Sequence, residues 1–268
     1  MIMRKKFSGI SLTLLLLLLV ALMASDKSQA AKRLPLKAQV GSVWDGDTFT
    51  IHGVGRIRIM GIDTPEVSGK LKAAEPFADT ARDATEKLLM GGGKSIFLIK
   101  EKGGQDRDVF KRPLRYIELQ DGRDVGEELL KQGLALVYVG KGFSRSARYF
   151  KAEMRARSDK LGVWSEKNPH WLVKQKAAIH HVGDFRIVQG RVKAAAKVGS
   201  WIYLNYGKDY KKDFTVSIKI RDWKKHFRKV YKDPQQLVGQ RIEVRGRIGL
   251  RNGAMIRARH PDQIQKME

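Results

Sequence analysis

The sequence predicts a mainly β protein with added helices, an α+β fold built as two small barrel-like domains. Two observations lead to this prediction. In the first half, short strands are interrupted by three helical segments, in an order that does not fit repeated βαβ units. In the second half, five further strands have one helix between the third and the fourth, which is the order that an OB-type barrel produces.

The first half begins with a predicted three-strand meander at residues 38–62, where turns at Asp45-Gly46-Asp47 and at 53–55 separate apolar runs. Thr64-Pro65-Glu66 ends the third strand, because proline has no backbone N–H to donate to a neighbouring strand. A helix is predicted within 70–90. The later elements predicted in this half are strands at 95–100, 114–119 and 134–139 and helices at about 125–130 and 147–161.

The second half reads as a separate domain. Its strands are predicted at 185–193, 201–204, 214–220, 240–248 and 255–259, with a short helix at 223–231. Asn168-Pro169-His170-Trp171 and the polar stretch after it indicate a linker. The predicted organisation is a signal peptide at 1–30, a first domain at 38–166, a linker at 167–180 and a basic OB-like accessory domain at 181–266.

Net charge limits the choice of partners. The chain has 53 Lys and Arg against 28 Asp and Glu, a formal charge of +25. Such a surplus attracts polyanions, of which nucleic acid and an anionic membrane surface are the first candidates. A solvated basic surface with no specific partner is the alternative. The absence of cysteine excludes disulfides and Cys-ligated zinc.

The N-terminus has the pattern of a secretory signal. Arg4, Lys5 and Lys6 precede an apolar stretch at 10–23, and Ser28-Gln29-Ala30 supplies small residues for a signal peptidase. We expect export to the periplasm or the medium. An uncleaved membrane anchor is the alternative, although the apolar stretch is shorter than the ~20 residues of a spanning helix.

Four carboxylates stand out in this basic chain: Asp45, Asp47, Asp63 and Glu66 lie within 22 residues. Asp-Gly-Asp alone is more typical of a hairpin turn than of a metal site. In an antiparallel meander, however, the turn that carries Asp47 and the strand end that carries Asp63 would lie close together. Two carboxylates and a nearby backbone carbonyl would then suit a hard divalent cation.

Residues that could bind or attack a phosphodiester occur in the same region. Glu66 would position or deprotonate an attacking water. Arg58 would neutralise a phosphate, and Arg112 is a candidate second clamp. The alternatives are that Arg58 is a strand arginine paired with an acid, and that Arg112 is one of four arginine and lysine charges within 107–115.

Taken together, these residues resemble the staphylococcal nuclease family over about 38–165. The motifs that carry the resemblance are Asp45-Gly46-Asp47-Thr48, Arg58 followed by Asp63-Thr64-Pro65-Glu66, the later Arg112, Gln132-Gly133-Leu134-Ala135 and Gly162-Val163-Trp164-Ser165. The resemblance implies an OB-type five-stranded barrel with helices. It also implies Ca²⁺-dependent hydrolysis of DNA and RNA with little sequence specificity, giving 3′-phosphate and 5′-hydroxyl ends.

The resemblance also implies roles for individual residues. The side chains of Asp47 and Asp63 and the carbonyl of Thr64 would bind Ca²⁺, with Asp45 just outside the inner shell. Glu66 would be the general base. Arg58 and Arg112 would bind phosphate.

Two departures from the family pattern concern substrate contacts. The family usually has Tyr-Gly-Arg where this chain has Phe110-Lys111-Arg112-Pro113, so a hydroxyl is lost and two flexible positions become Lys and Pro. The aromatic pair expected after Leu134-Ala135 is present only in part, as Tyr138 with Val139. Tyr138 would either stack on a base or cap the barrel.

Residues 177–268 hold 21 Lys and Arg against 8 Asp and Glu, a net charge of +13. Aromatic residues are interleaved with these charges: Trp201, Tyr203, Tyr206, Tyr210, Phe214, Trp223 and Tyr231. This composition predicts a surface whose aromatic rings stack on the bases of single-stranded nucleic acid. Such a surface would add substrate affinity but no catalytic residues. The alternative is that strand aromatics such as Tyr203 and Phe214 belong to the core.

The interpretation that combines these observations is an exported, monomeric, Ca²⁺-dependent nuclease acting on DNA and RNA, with single strands preferred. A non-catalytic nucleic-acid-binding protein on the same fold is the alternative. A membrane-anchored surface protein that holds anionic lipid is a third possibility, and membrane contact is expected only if the signal segment stays uncleaved.

Overall fold

The computed structural model describes residues 36–68, 73–91, 95–165 and 169–267. The predicted signal peptide lies outside the described residues. Lys37–Glu268 forms one compact unit that contains both predicted barrels. Within the described part of the chain, no helix has the length and apolar character needed to cross a membrane.

The first half folds around a closed five-stranded barrel. Its strands are β1 (Leu36–Val43), β2 (Thr48–Ile51), β3 (Gly55–Ile59), β5 (Ser95–Ile99) and β6 (Leu114–Glu118), in the order β1-β2-β3-β6-β5. The first three strands pair antiparallel, whereas β3 and β6 pair parallel. The predicted meander and the predicted five-stranded barrel are therefore confirmed.

Alternation along β3 shows how the sequence builds this barrel. Ile57 and Ile59 are fully buried, whereas Arg58 between them points to the opposite face and keeps part of its surface in solvent. Three helices complete this half: α1 (Ala78–Gly91), α2 (Val125–Lys131) and α3 (Ser146–Ser158). Asp124 caps α2, since its side chain accepts the backbone N–H of Glu127 at 3.1 Å.

A two-stranded ribbon lies beside the barrel. It pairs β4 (Ile62–Asp63) antiparallel with β7 (Leu136–Val137), and Asp63 is the register partner of Leu136. Because β7 is buried, the position of Asp63 depends on a strand more than 70 residues later in the chain.

Two glycines of the family-like motifs pack backbone against backbone. Gly133 and Gly162 both have positive φ, 67° and 52°. A Cβ on either one would come within 2.2 Å of a backbone oxygen, of Leu161 and of Gly133 respectively. Only glycine fits both the conformation and the approach, which explains why these two motifs occur together.

The second half forms an eight-stranded sheet in the described residues. Its strands are β8 (Leu172–Lys174), β9 (Phe185–Arg191), β10 (Ala194–Val198), β11 (Trp201–Asn205), β12 (Thr215–Lys219), β13 (Arg241–Leu250), β14 (Ala254–Ala258) and β15 (Ile264–Lys266). The order is β10-β11-β12-β14-β13-β9-β8, and β15 also pairs with β13. The parallel β12–β14 pair corresponds to β3–β6 of the first barrel. The order β11-β12-β14-β13 therefore repeats the order β2-β3-β6-β5 of the closed first barrel, as predicted for an OB-like domain, and we call this sheet the second barrel.

Several elements differ from the prediction. The described part of the predicted linker, 167–180, is folded: it contains β8, which pairs parallel with β9. The additional strand β10 has the sequence Ala-Ala-Ala-Lys-Val, which lacks the β-branched pattern of a strand. The helix predicted at 223–231 is α4 (Ile220–Lys225) followed by a 3₁₀ turn (Phe227–Lys229).

Most aromatic residues of the second half belong to its core rather than to a stacking surface. Four are buried: Tyr206, Phe214, Trp223 and Tyr231. Trp201 and Tyr203 are half-buried and stack on each other, with ring centres 6.5 Å apart. The prediction of a broad aromatic surface is therefore wrong for the four buried rings.

A shared apolar cluster joins the two barrels. It contains Leu136, Ala156, Val163 and Trp164 from the first half and Trp171, Phe185 and Ile187 from the second. The second barrel thus packs directly behind β7, the strand that pairs with β4.

Candidate active site

The Asp-Gly-Asp turn packs against the segment that follows β4. Asp45 accepts the backbone N–H of Asp47 at 3.0 Å, which is the local turn bond that the sequence allowed. A Cβ on Gly46 would lie only 2.8 Å from the side chain of Thr64. Glycine is therefore required at position 46 for the two acidic motifs to meet.

Arg58 lies at the centre of the acidic cluster. Its Nη1 donates to Asp47 Oδ1 at 2.6 Å, and its Nη2 donates to Asp63 Oδ1. Nη2 also donates to the carbonyl of Ile62 at 3.3 Å. The guanidinium fork thus bridges the two carboxylates that were predicted to meet.

Asp47 is almost completely buried, with 2% of its surface exposed. Its Oδ2 accepts the backbone N–H of Thr64 at 3.1 Å, and its Oδ1 accepts the hydroxyl of Thr48 at 2.9 Å. The structure therefore brings together the three predicted calcium ligands, Asp47, Asp63 and Thr64.

Arg112 reaches the same cluster from the loop before β6. Its Nη1 donates to the hydroxyl of Thr48 at 3.2 Å, and its Nε donates to Asp108 at 2.6 Å. Because Thr48 also bonds to Asp47, one hydroxyl connects Arg112 with the acidic cluster. Arg112 therefore lies beside the acidic cluster, and its role in binding phosphate stays a prediction.

The loop that departs from the family pattern keeps an unusual backbone. Lys111 has φ 64°, the left-handed region that favours glycine, at the position where the family usually has glycine. Phe110 is 76% exposed, and the Arg112 guanidinium lies 5.3 Å from its ring centre. These residues border a pocket of about 580 Å³ that also contacts Arg56 and Arg107.

Glu66 follows the proline at the end of β4 and is largely exposed. Its backbone N–H donates to the carboxylate of Glu75 at 3.1 Å. Partial loss of solvent raises the pKa of the Glu66 carboxyl, and the negative charge of Asp47 raises it further, against the opposing charge of Arg58. The Glu66 carboxylate therefore lies close enough to the cluster for the charges of Asp47 and Arg58 to shift its pKa.

Burial and like charge also act on the other acids. Burial, followed by the charge of Asp47, raises the pKa of Asp45 to about 7. Burial raises the pKa of Asp63 to about 7 as well, with Arg58 opposing the shift and Asp47 adding to it. Burial alone would lower the pKa of Arg58, but Asp47 and Asp63 outweigh it and raise that pKa. The cluster therefore holds more negative charge than Arg58 balances.

This donor set fits a hard divalent cation. The candidate ligands are all oxygens, and a dication would relieve the repulsion that raises the carboxyl pKa values. Within the described residues, no group of three or more His, Cys, Asp or Glu side chains is placed to hold a metal by side chains alone. The predicted set, two carboxylates and the Thr64 carbonyl, does not require such a group, and the calcium site stays a prediction.

Tyr138 connects the site with the second barrel. The Arg58 guanidinium lies 6.0 Å from its ring centre, and the ring of Phe185 packs on it at 5.3 Å. The side chain is 40% exposed. Both predicted roles, base stacking and capping of the barrel, are compatible with this position.

Sequence reasoning missed three residues that position the site. Thr48 bridges Asp47 and Arg112, Asp108 orients Arg112, and Glu75 holds the backbone of Glu66. Thr48 belongs to the Asp-Gly-Asp-Thr motif and Asp108 lies four residues before Arg112 in a charged loop, whereas Glu75 has no sequence signal. The partners of Thr48 and Glu75 depend on the folded loops.

Comparison with known proteins agrees with this geometry. Residues 56–166 match the family described as "Staphylococcal nuclease homologue". Over these residues, the chain is similar to the staphylococcal nuclease family. The match includes Arg58, Asp63, Glu66 and Arg112, whereas Asp47 precedes it.

Similar proteins include two from Bacillus subtilis. The chain is 36% identical over 127 residues to the SPbeta prophage-derived endonuclease YokF. The matched region covers 46% of this chain and 42% of that protein. It is 34% identical over 127 residues to endonuclease YncB, covering 46% of this chain and 58% of that protein. A probable endonuclease lcl3 of Pyrenophora tritici-repentis is 30% identical over 142 residues, covering 50% of this chain and 47% of that protein. The chain spans about half the length of these curated relatives.

Proposed function

We propose that this protein is a calcium-dependent nuclease that hydrolyses phosphodiester bonds of DNA and RNA with little sequence specificity. The observation that carries the proposal is the convergence of Asp47 and Asp63 on Arg58, with Arg112 joined through Thr48. A phosphodiester needs cationic forks for its oxygens, and an acidic cluster needs a cation. The similarity to proteins named endonucleases supports the same activity.

Each side chain then has one task. Asp47, Asp63 and the Thr64 carbonyl hold Ca²⁺, with Asp45 behind Asp47. When bound, the ion polarises a phosphate oxygen and offsets charge in the transition state. Arg58 and Arg112 bind the phosphate oxygens, for which a planar guanidinium offers two donors.

Glu66 acts as the general base. It accepts a proton from water as the water oxygen attacks phosphorus, and a raised pKa suits that task near neutral pH. The bond from phosphorus to the 5′ oxygen breaks, and that oxygen gains a proton. The products are a 3′-phosphate and a 5′-hydroxyl, as the family resemblance implies.

Export, assembly and substrate preference complete the proposal. The signal pattern at 1–30 supports export to the periplasm or the medium. The candidate side chains all lie on the first barrel and its adjoining loops, and we propose that the protein acts as a monomer. The open, half-exposed Tyr138 beside Arg58 supports a preference for single strands, whose bases are free to stack.

Zymography tests this proposal. The purified protein is assayed on DNA and on RNA, with Ca²⁺ and with a chelator, beside Glu66→Gln. We expect cleavage of both substrates only with Ca²⁺, and a loss of about 10²–10⁴-fold in rate for Glu66→Gln. Binding without cleavage in Ca²⁺ would contradict the proposal in favour of a non-catalytic nucleic-acid-binding protein.

A further inference from the structure

A second, larger concave site lies away from the acidic cluster. It is a groove of about 810 Å³ between loops of the first barrel, at 103–105 and 141–142, and the second barrel. The second barrel contributes the end of β12, part of α4 and the end of β14. We call this site the inter-barrel groove.

The lining of the inter-barrel groove is strongly cationic. Six of its side chains are basic: Lys141, Lys219, Arg221, Lys225, Arg257 and Arg259. Asp222 is its one acidic lining residue among the described part of the chain. Such a surplus inside a concave site focuses a positive field on whatever enters it.

Most of these charges are not neutralised by the protein. Asp222 contacts Arg221 at 3.2 Å and Arg257 at 3.9 Å. The other four basic side chains form no ion pair with any residue that the structure describes. This differs from the acidic cluster, where Arg58 is bound by two carboxylates.

An aromatic ring also contacts two of the cations. Lys219 Nζ lies 5.3 Å from the ring centre of Trp201, and the Arg257 guanidinium lies 5.1 Å from it. A cation over an indole ring is attracted without losing its charge. Burial and the neighbouring charge of Arg259 lower the pKa of Arg257, so the groove keeps like charges close together.

The groove is continuous in sequence with the candidate active site. Lys141 follows three residues after Tyr138, whose ring lies beside Arg58. Residues 103–105 begin the loop that carries Asp108 and Arg112. Two segments of the first barrel therefore border both sites.

We propose that the inter-barrel groove binds the phosphate backbone of a nucleic-acid strand whose scissile phosphodiester lies at the candidate active site. This inference rests on the proposed nuclease function, to which it adds a second contact region for long substrates. Unpaired cations on the walls of a concave site match a narrow strand that carries one charge per nucleotide. An anionic membrane is broad, and it would contact a convex or flat surface more readily than a groove.

Three exposed groove residues without acidic partners give the test variant, Lys141→Gln/Lys225→Gln/Arg259→Gln. A matched control removes the same charge from exposed lysines of the β11–β12 hairpin, Lys208→Gln/Lys211→Gln/Lys212→Gln. Both triple variants are made in Glu66→Gln, so that the strand survives the measurement. Fluorescence anisotropy then gives affinity for labelled single-stranded DNA of about 20 nucleotides, longer than the ~4–16 that one OB barrel covers.

The dependence of log K on log salt decides the outcome. Loss of three phosphate contacts is expected to flatten the slope by about 2, at ~0.7 per contact on single strands, and to weaken low-salt binding about tenfold or more. The control triple is expected to change the slope by less than about 1. Equal changes for the two triples would overturn the proposal, because they would report only total charge.

Two further measurements separate this proposal from its alternatives. Binding of the same proteins to vesicles containing phosphatidylserine is measured as well. If the groove triple variant loses vesicle binding but keeps its affinity for single-stranded DNA, the groove is a membrane site and the proposal is contradicted. Cleavage by the protein without substitutions is assayed separately. Groove-dependent binding without cleavage would contradict the nuclease function while supporting the groove.

Discussion

Glu153 on α3 and Arg245 on β13 form a buried, two-pronged ion pair between the two barrels. The hydrogen bonds are 2.9 and 2.8 Å long, and 4% and 2% of the respective side-chain surfaces are exposed. Both residues also bond to the backbone of Val137: Glu153 accepts its N–H at 2.7 Å, and Arg245 donates to its carbonyl at 3.0 Å.

This pair supports the strand on which a predicted calcium ligand depends. Val137 belongs to β7, whose residues pair with Ile62 and Asp63 of β4. The second barrel therefore supports β7 through Arg245, and β7 in turn pairs with β4. The expectation that the second domain adds affinity alone does not fit this arrangement, because its removal would take Arg245 away from Glu153 and from the backbone of Val137.

The first prediction concerns this ion pair. Glu153→Gln leaves the Arg245 charge buried and uncompensated, so we expect the free energy of unfolding to fall by about 3–5 kcal/mol. Displacement of β4 is expected to lower turnover as well, by up to about 100-fold. Equilibrium urea unfolding and initial cleavage rates measure the two effects.

Asp121→Asn is the control for this variant, since it breaks an exposed pair with Arg123 and is expected to cost at most about 1 kcal/mol. If Glu153→Gln unfolds at the same urea concentration as Asp121→Asn, the pair does not join the barrels in solution.

The second prediction concerns pH. Burial tends to raise the pKa of Glu243, but hydrogen bonds from Arg157, at 2.7 and 2.8 Å, and from Gln189 outweigh it and lower that pKa below 4.5. A carboxyl with a lowered folded-state pKa stabilises the fold above its unfolded-state pKa, and this stability is lost as pH falls through the folded-state value.

We therefore expect the difference in unfolding free energy between wild type and Glu243→Gln to be complete above about pH 5 and to shrink at lower pH. Glu86→Gln, on the exposed surface of α1, serves as control, with a small difference at every pH. A Glu243→Gln difference that stays constant from pH 6 down to about pH 3 would argue against the ion pair.

The third prediction concerns the residue that orients Arg112. Asp108 accepts Arg112 Nε at 2.6 Å and the backbone N–H groups of Phe110 and Arg112. Asp108→Asn keeps an oxygen for the loop but loses the charged bond, so we expect turnover to fall about tenfold or more. Steady-state kinetics measure kcat and KM separately.

Asp106→Asn is the matched control from the same loop, because Asp106 pairs with Lys100 and Arg115 rather than with Arg112. Its turnover is expected to stay near that of the wild type. Equal turnover of Asp108→Asn and wild type would show that Arg112 needs no such support.

Much of the site could be predicted from the sequence because its main parts are local. Asp47 and Arg58 lie on one antiparallel meander, whose alternation and turns are visible in the sequence, and Asp63 follows directly on β4. The strand order of the second barrel was predictable for the same reason, although Ala-rich β10 has no strand signal.

The remaining contacts depend on docking. Glu153 and Arg245 are 92 residues apart, and no sequence pattern indicates that two charges in separate barrels share one buried contact. The sequence also does not indicate that the predicted linker is folded, because this too depends on contacts with the second barrel. Its polar residues are typical of a linker, but its strand β8 pairs with β9, a strand of the second barrel.

Asp47 and Asp63 are proposed to hold the calcium ion of a nuclease, and their role can be measured through both cleavage and stability. Initial cleavage rates of labelled single-stranded DNA, and thermal unfolding midpoints, are measured for wild type and Asp47→Asn, with Ca²⁺ and with chelator. We predict that wild type cleaves only with Ca²⁺ and gains about 2.7 kcal/mol of stability at a Ca²⁺ concentration 100 times its Kd. Asp47→Asn is predicted to lose both the cleavage and the stabilisation while remaining folded. Undiminished cleavage by wild type in chelator, or by Asp47→Asn in Ca²⁺, would contradict the claim.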